Sequence, residues 1–377
     1  MDTQSRGLAD IKKDILRRAG KINPFERVLR TEVEELLGRL TSLDPEPWGR
    51  EWGKLGARYE ALGREAEEQG GPQAAASAYS QAYEYYRVGR YPVPSSPEKM
   101  NCYQGVLRTF LKAAPYRDPP IERVEIPFEG KKIVGYLQLP KGVKRPAIVI
   151  HWGGVDGWKE DRRTNGELLH REGWATFTMD MPGTGENPLL GTDPRAERTF
   201  SAAIDYLQQR AEVDGGRIAC MGSSFGGYWA AKLAHVEVER LRAAVNWGAG
   251  VHWTFQERWL RPALTVKASQ YLLGPASLLD ARAYVLGVRT LEEVLRLAPR
   301  LSLKTQGILD QPSAPLLCIN GKLDDQHPVE DIYLLLEHGG PKDARIMADG
   351  GHMGRRAGQR NDEVQRIVIQ WLKQRLS

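Results

Sequence analysis

Cysteine is nearly missing from this chain: Cys102, Cys220 and Cys318 are the only three in 377 residues, and they lie far apart. No CxxC pair or Cys/His spacing points to zinc, and an odd, sparse count fits a reducing compartment better than a disulfide framework. Long apolar runs are missing as well. The longest, such as 147–150, are the size of a strand and far short of the roughly 18–20 residues that cross a bilayer. The opening Met1-Asp-Thr-Gln-Ser-Arg lacks the basic, apolar, small-residue order of a secretory leader. A soluble cytoplasmic protein without membrane contact is therefore expected. Charge of one sign is never concentrated. Lys and Arg number 53 against 48 Asp and Glu, and same-sign clusters stop at groups such as Lys12 with Lys13, Glu32 with Glu34 and Glu35, or Arg355 with Arg356. Groups that short mark solvated faces, so no nucleic-acid partner is expected. Walker, HExxH and EF-hand patterns are also absent, which implies neither a metal nor a cofactor. Asp180-Met-Pro-Gly183-Thr-Gly185-Glu falls one glycine short of GxGxxG and has no ribose-binding acid in a βαβ context, which argues against a dinucleotide site.

What remains is an ordinary globular composition, 41% hydrophobic and 27% charged, in a chain long enough for two domains. Its two parts follow different periodicities. Over 1–120 apolar residues recur at helical spacing, as in Val28, Val33, Leu36, Leu37 and Leu40. Further helices are expected over 52–68, 73–88 and 98–114, separated by Gly/Pro breaks, with Asp118-Pro-Pro as the linker. From 121 to 377 short apolar runs alternate with amphipathic stretches, the pattern of an α/β fold. Strands are expected at 123–128, 133–139, 146–151, 175–179, 217–221, 243–247, 316–320 and 344–348. The Glu129-Gly130-Lys131 turn makes the first two an antiparallel hairpin. The later strands, separated by helices, should be parallel. Between the sixth and seventh strands lies a long helical insert, about 252–311, with helices expected at 264–273, 281–286 and 291–298.

Chemistry concentrates in the second part. Cys220-Met-Gly222-Ser-Ser224-Phe-Gly226-Gly227 contains Gly-x-Ser-x-Gly between an apolar strand and a helix. That placement, more than the pattern, suggests a strand–turn–helix elbow whose glycines let backbones close together while the serine Oγ is presented above the sheet. A serine needs a base, and the base needs an orienting carboxylate. Both follow in the order serine, acid, histidine, each after a strand: Asn320-Gly-Lys-Leu-Asp324-Asp325 and Ala348-Asp-Gly-Gly-His352. Asp324 is the preferred acid; Asp325 reads as a cap of the next helix. An oxyanion hole would use the N–H of Phe225 and one from the loop His151-Trp-Gly153-Gly154-Val155, either Gly154 or its neighbour Val155. Aromatic residues including Trp152 and the stripe Tyr79, Tyr83 and Tyr86 suggest an apolar or aromatic portion of substrate, although such a stripe is more often helix core than pocket lining.

With Ser224, Asp324, His352 and the Gly153-Gly154 loop in place, residues 121–377 resemble an α/β-hydrolase. The helical part, with Tyr83-Glu-Tyr-Tyr86-Arg-Val-Gly-Arg-Tyr91-Pro, narrows the likeness. It is similar to the 2,6-dihydropseudooxynicotine hydrolase group and to related fungal polyketide-shortening hydrolases, and more loosely to the fermentation–respiration switch esterases. The resemblance implies an eight-stranded, mostly parallel sheet with an N-terminal helical lid domain. It also implies a homodimer acting on a small-molecule carbonyl compound, by cleaving a C–C bond of a 1,3-diketone or an ester or amide. By the same resemblance Glu257 would stand near the site. A carbon leaving group would need a donor such as His252 or a roof tyrosine. Two other classes compete. Trp52-Gly-Lys-Leu-Gly-Ala-Arg-Tyr59 matches the first helix of a tetratricopeptide repeat, but no second copy follows about 34 residues on. A non-catalytic hydrolase-fold receptor would be expected to lack a triad member, and this chain keeps all three.

Overall fold

A computed structural model of the chain describes residues 7–267, 271–356 and 359–377. Its contacts divide it into two units, Met1–Ile121 with Tyr271–Asp280, and Glu122–Gln270 with Ala281–Ser377.

The first unit holds helices α1 (Leu8–Arg18), α2 (Arg30–Arg39), α3 (Pro45–Glu68), α4 (Pro72–Arg90) and α5 (Pro97–Ala113). Prolines start three of them because a first-turn proline gives up only an N–H that no carbonyl would reach. For this reason α3 begins at Pro45, several residues before the expected 52. Glycines inside α3 and α5 are packing devices. A Cβ on Gly56 or Gly105 would come within 2.5 and 2.7 Å of the Tyr86 ring, so the ring fits between these helices only because both positions lack a side chain. Tyr79 and Tyr86 end on carboxylates, donating to Glu67 and Glu60 at 2.7 Å each.

The second unit is built on an eight-stranded sheet in the order β1-β2-β4-β3-β5-β6-β7-β8. The strands are β1 (Glu122–Phe128), β2 (Lys131–Gln138), β3 (Ile148–Trp152), β4 (Ala175–Met179), β5 (Ile218–Ser223), β6 (Leu241–Trp247), β7 (Leu316–Gly321) and β8 (Lys342–Met347). β2 runs antiparallel to both β1 and β4, and every later pairing is parallel. The helices are α6 (Arg163–Arg171), α7 (Arg198–Gln208), α8 (Gly226–Val236), α9 (Glu257–Pro262), α10 (Pro275–Leu286), α11 (Leu291–Leu297), α12 (Glu330–Glu337) and α13 (Asp362–Leu376). Central strands are buried end to end, as expected where helices cover both faces. On one face Val149, Ala219, Val245, Leu317 and Ile319 meet Val368, Trp371 and Leu372 of α13. On the other, Phe200 of α7 lies 4.2 Å from Trp152 and 6.3 Å from Trp229 of α8, centroid to centroid. Among the described residues no helix is long and apolar enough to cross a membrane.

The long insert departs from its expected helices at several points: α9 lies where none was expected, and α10 starts six residues before 281. Pro262 removes an N–H from the ladder at the end of α9, and the chain widens into a π turn over Ala263–Lys267. Of the helix expected over 264–273, residues 268–270 lie outside the described set and Tyr271 begins a turn. Part of the insert, Tyr271–Asp280, groups with the helical unit, where Tyr271 stacks on Tyr91 at 6.1 Å. The division between the units therefore runs through α10.

Candidate active site

Ser224 sits between β5 and α8 with φ +55°, a left-handed backbone that few non-glycine residues adopt. The turn is tight enough to require glycine on both sides. A Cβ on Gly222 would fall 2.1 Å from the Gly226 carbonyl oxygen, and one on Gly226 would fall 2.1 Å from that of Gly153. Strain of this kind persists only where the surroundings over-determine it. Here the Ser224 N–H donates to the Trp247 carbonyl at 2.8 Å, and Trp152 Nε1 donates to the Gly226 carbonyl at 2.8 Å. Trp152 is thus a buried brace of the elbow.

The expected partners converge on this serine. Ser224 Oγ is 2.7 Å from His352 Nε2, and His352 Nδ1 is 2.8 Å from Asp324 Oδ2. Asp324 also accepts from Asn320 Nδ2 at 2.7 Å and from the Gln326 N–H at 2.8 Å. Burial pushes its carboxyl pKa upward, but His352, His327 and Asn320 outweigh that and hold it at about 2. Asp325 does not cap the following helix, because α12 begins at Glu330 with Val329 in the cap position.

Gly154 lies directly against the serine. A Cβ there would stand 2.7 Å from Ser224 Cβ and 3.0 Å from its Oγ. Among the described residues no carbonyl accepts the N–H of Gly154, Val155 or Phe225. The Phe225 N–H also precedes the first turn of α8, where the helix's positive end lies. Gly154→Ala is expected to lower kcat by about 100-fold or more while the fold survives, because the intruding methyl must displace either the serine or the loop. Steady-state kinetics with a thermal melt would check this.

Residues that sequence reasoning did not single out hold the histidine and the loops. Asn320, the residue before Gly321 at the end of β7, uses both ends of its amide: Nδ2 on Asp324, and Oδ1 accepting from the Met353 N–H at 2.9 Å. Trp247 Nε1 donates to the Met353 carbonyl at 2.9 Å, so the residue after His352 is held at both backbone groups. His327, fully buried, stacks on the His352 ring at 5.4 Å and 24°. Burial, and secondarily Arg282, holds its pKa well below the usual imidazole range. Asp331 gathers the N–H groups of His252, Trp253 and Thr254 at 2.8–2.9 Å, fixing the start of the insert. Burial raises its pKa to about 6 despite those bonds.

A second buried cluster anchors the loop that carries Gly154. Lys159 Nζ lies 2.8 Å from each of Glu160 Oε1, Asp180 Oδ2 and Glu186 Oε2, with its side chain fully inaccessible. The Lys159 N–H donates to Asp180 Oδ1 at 2.9 Å, and Tyr136 donates to Glu160 at 3.0 Å. The Asp180–Glu186 segment, which fails as a dinucleotide loop, serves here as the anionic half of this clamp. Lys159→Met is expected to destabilise the protein by about 3–5 kcal/mol, since it leaves buried carboxylates without their cation. Denaturant unfolding would measure it.

The remaining expected residues lie as follows. Glu257 stands on α9 with its side chain 64% exposed, paired with Arg261 at 2.9 Å. It faces solvent on its own helix and makes no hydrogen bond to Ser224, Asp324 or His352. His252 Nδ1 lies 2.7 Å from Ser302 Oγ. Tyr86 is enclosed by Gly56 and Gly105 in the helical unit, and Tyr83 packs edge-on against Phe110 at 5.5 Å there. Among the described residues no group of three or more His, Cys, Asp or Glu side chains could hold a metal ion.

A mostly parallel eight-stranded sheet with an antiparallel second strand, and a Ser–His–Asp line at the ends of β5, β7 and β8, defines an α/β-hydrolase. Within that class the chain belongs to the FrsA-like esterase family, whose model matches residues 28–376. It is 25% identical over 301 residues to the esterase FrsA of Photobacterium profundum, covering 77% of this chain and 68% of that protein. It is 31% identical over 257 residues to the hydrolyase poxO of Penicillium oxalicum, covering 62% and 60%. A third relative, the 2,6-dihydropseudooxynicotine hydrolase of Paenarthrobacter nicotinovorans, is 31% identical over 233 residues, covering 60% and 58%. The chain thus spans about three fifths of the length of the last two. Among solved structures, the 2,6-dihydroxy-pseudo-oxynicotine hydrolase superposes with a TM-score of 0.76 at 22% identity, over 97% of this chain and 95% of that one. AbyA5 does so with 0.67 at 23%, over 90% and 93%. At those identities the superpositions establish the fold.

Proposed function

We propose that this protein is a serine hydrolase that cleaves a small carbonyl compound, either at a C–C bond flanked by two carbonyls or at an ester. The observation that carries the reading is the unbroken line Ser224 Oγ, His352, Asp324, with contacts of 2.7 and 2.8 Å. In this reading His352 takes the serine proton as Oγ attacks the carbonyl, while Asp324 fixes the imidazole tautomer and stabilises the imidazolium. The N–H of Phe225 and that of Gly154 or Val155 receive the oxyanion; losing one such donor costs about 3–4 kcal/mol of barrier. Collapse expels the leaving group, which takes a proton from His352. Water, activated by the same imidazole, then releases the acid from Ser224.

A relative named as an esterase supports the ester reading, and one named as 2,6-dihydropseudooxynicotine hydrolase supports the C–C reading that the resemblance to that group implies. Purified protein offered p-nitrophenyl acetate and an aryl 1,3-diketone tests the reading. Turnover of at least one, abolished by His352→Gln, is expected. Turnover of neither would overturn it and favour the receptor reading.

A further inference from the structure

Hydrogen bonds hold the base at its edges: His352 Nδ1 lies 2.8 Å from Asp324 and Nε2 lies 2.7 Å from Ser224 Oγ. The second of these is lost during turnover. Once Oγ is esterified it has no proton to share, yet the same imidazole must then aim a water at the acyl carbon. The chain just before it, Gly350-Gly351, adds no side chain to limit its swing. A restraint on the face of the ring would act in both half-reactions, and the structure provides one. His327, fully buried in the loop between β7 and α12, lies over the His352 ring with centroids 5.4 Å apart and planes at 24°.

His327 is itself fixed, both in its plane and in its protonation. Arg282 Nη2 stands 2.9 Å from its Nε2. A guanidinium can only donate, so Nε2 is the acceptor and the ring carries its one proton on Nδ1. Thr254 Oγ1, 2.9 Å from Nδ1, accepts that proton, while the Gly250 N–H approaches Nδ1 less closely, at 3.1 Å. A second proton would have to enter at Nε2 against the Arg282 N–H, and burial opposes it as well. We propose that His327 is a positioning residue for the base: a ring kept in one neutral tautomer that lies against the face of His352 and holds its Nε2 on the reacting atoms, above all in the acyl-enzyme. This rests on the reading of Ser224 as the nucleophile. His327 takes no part in the proton transfers, although it lies one ring from the base. Its neutral form also puts an aromatic face, rather than a like charge, against the imidazolium that forms on His352.

The test is single-turnover hydrolysis of p-nitrophenyl acetate, which separates acylation of Ser224 from release of acetate, with fluorophosphonate labelling rates and thermal melts on the same proteins. Two substitutions divide the ring from its hydrogen bonds. His327→Gln keeps an acceptor for Arg282 but has no ring; His327→Phe keeps a ring but loses the bonds. His327→Gln should slow deacylation by about 100-fold, and acylation and labelling by about 10-fold. His327→Phe should recover most of both rates, even where its melting temperature falls further than that of His327→Gln. A structural role alone would lower the reacting fraction of the protein and leave the rate constants intact, and that result would overturn the proposal. So would equal rate losses in the two variants, or a His327→Gln enzyme whose deacylation falls no more than its acylation. Should His327→Gln fail to fold, Thr254→Val removes the acceptor that sets the ring's plane and should slow deacylation by about 10-fold. Unchanged rates in that variant would overturn the proposal too. Failure of the native protein to label at Ser224 would instead sink the serine-hydrolase reading on which it stands.

Discussion

Ser224→Ala should lower kcat by about five to six orders of magnitude on whatever substrate the native enzyme turns over, with unfolding free energy changed by no more than about 1 kcal/mol. The magnitude follows from the geometry. Oγ is the atom 2.7 Å from the His352 base. Stability should hold because alanine occupies the same φ of +55° and the backbone bond to Trp247 is retained. Pre-steady-state kinetics and a denaturant titration measure both halves of the expectation. A variant that kept a tenth of native activity would show that the nucleophile lies elsewhere.

Asp324→Asn should cost about 10⁴-fold in kcat with little change in KM. The amide can present an N–H to His352 Nδ1 and so stabilise the wrong tautomer, while the negative charge that supports the imidazolium is lost. The pH profile offers a second reading of the same residue. Because its folded pKa is depressed to about 2 from 3.8, Asp324 stays ionised throughout the working range. The stability contributed by that depression is present above pH 3.8 and is lost as pH falls from there toward 2. An acidic limb of the rate profile near neutrality therefore does not belong to this carboxylate. Stopped-flow rates across pH 4 to 9 would check this.

The parts legible in the sequence are those that local sterics or periodicity dictate. All eight strands fell within about two residues of the predicted runs, most plainly the central β3, β4 and β5, which are buried end to end and tolerate little but apolar residues. The elbow was legible because Gly222 and Gly226 stand where a Cβ would meet backbone at 2.1 Å, and that constraint is written into neighbouring positions. Asp324 and His352 were legible from their places after strands. What stayed hidden depends on approach across the chain. Lys159 looks like a surface lysine until folding brings Asp180, Glu160 and Glu186 around it. Asn320 reads as a strand residue, since nothing local says that its amide joins the acid to the histidine loop. Arg282 acquires meaning only when α10 places it beside Phe225 and His327, which lies 45 residues away in the chain. The tyrosine stripe illustrates the converse. Its spacing favoured helix core over pocket lining, and in the fold Tyr86 fills the space left by two helix glycines.

The most direct measurement is the reaction of the intact protein with a fluorophosphonate, followed by peptide mapping of the adduct. One phosphonyl group per chain on Ser224 is expected. It should be absent in Ser224→Ala and form at least about 100-fold more slowly in His352→Gln, since among the described residues the histidine is the base in contact with Oγ. A protein that stays unlabelled, or carries the adduct on another side chain, would contradict the account.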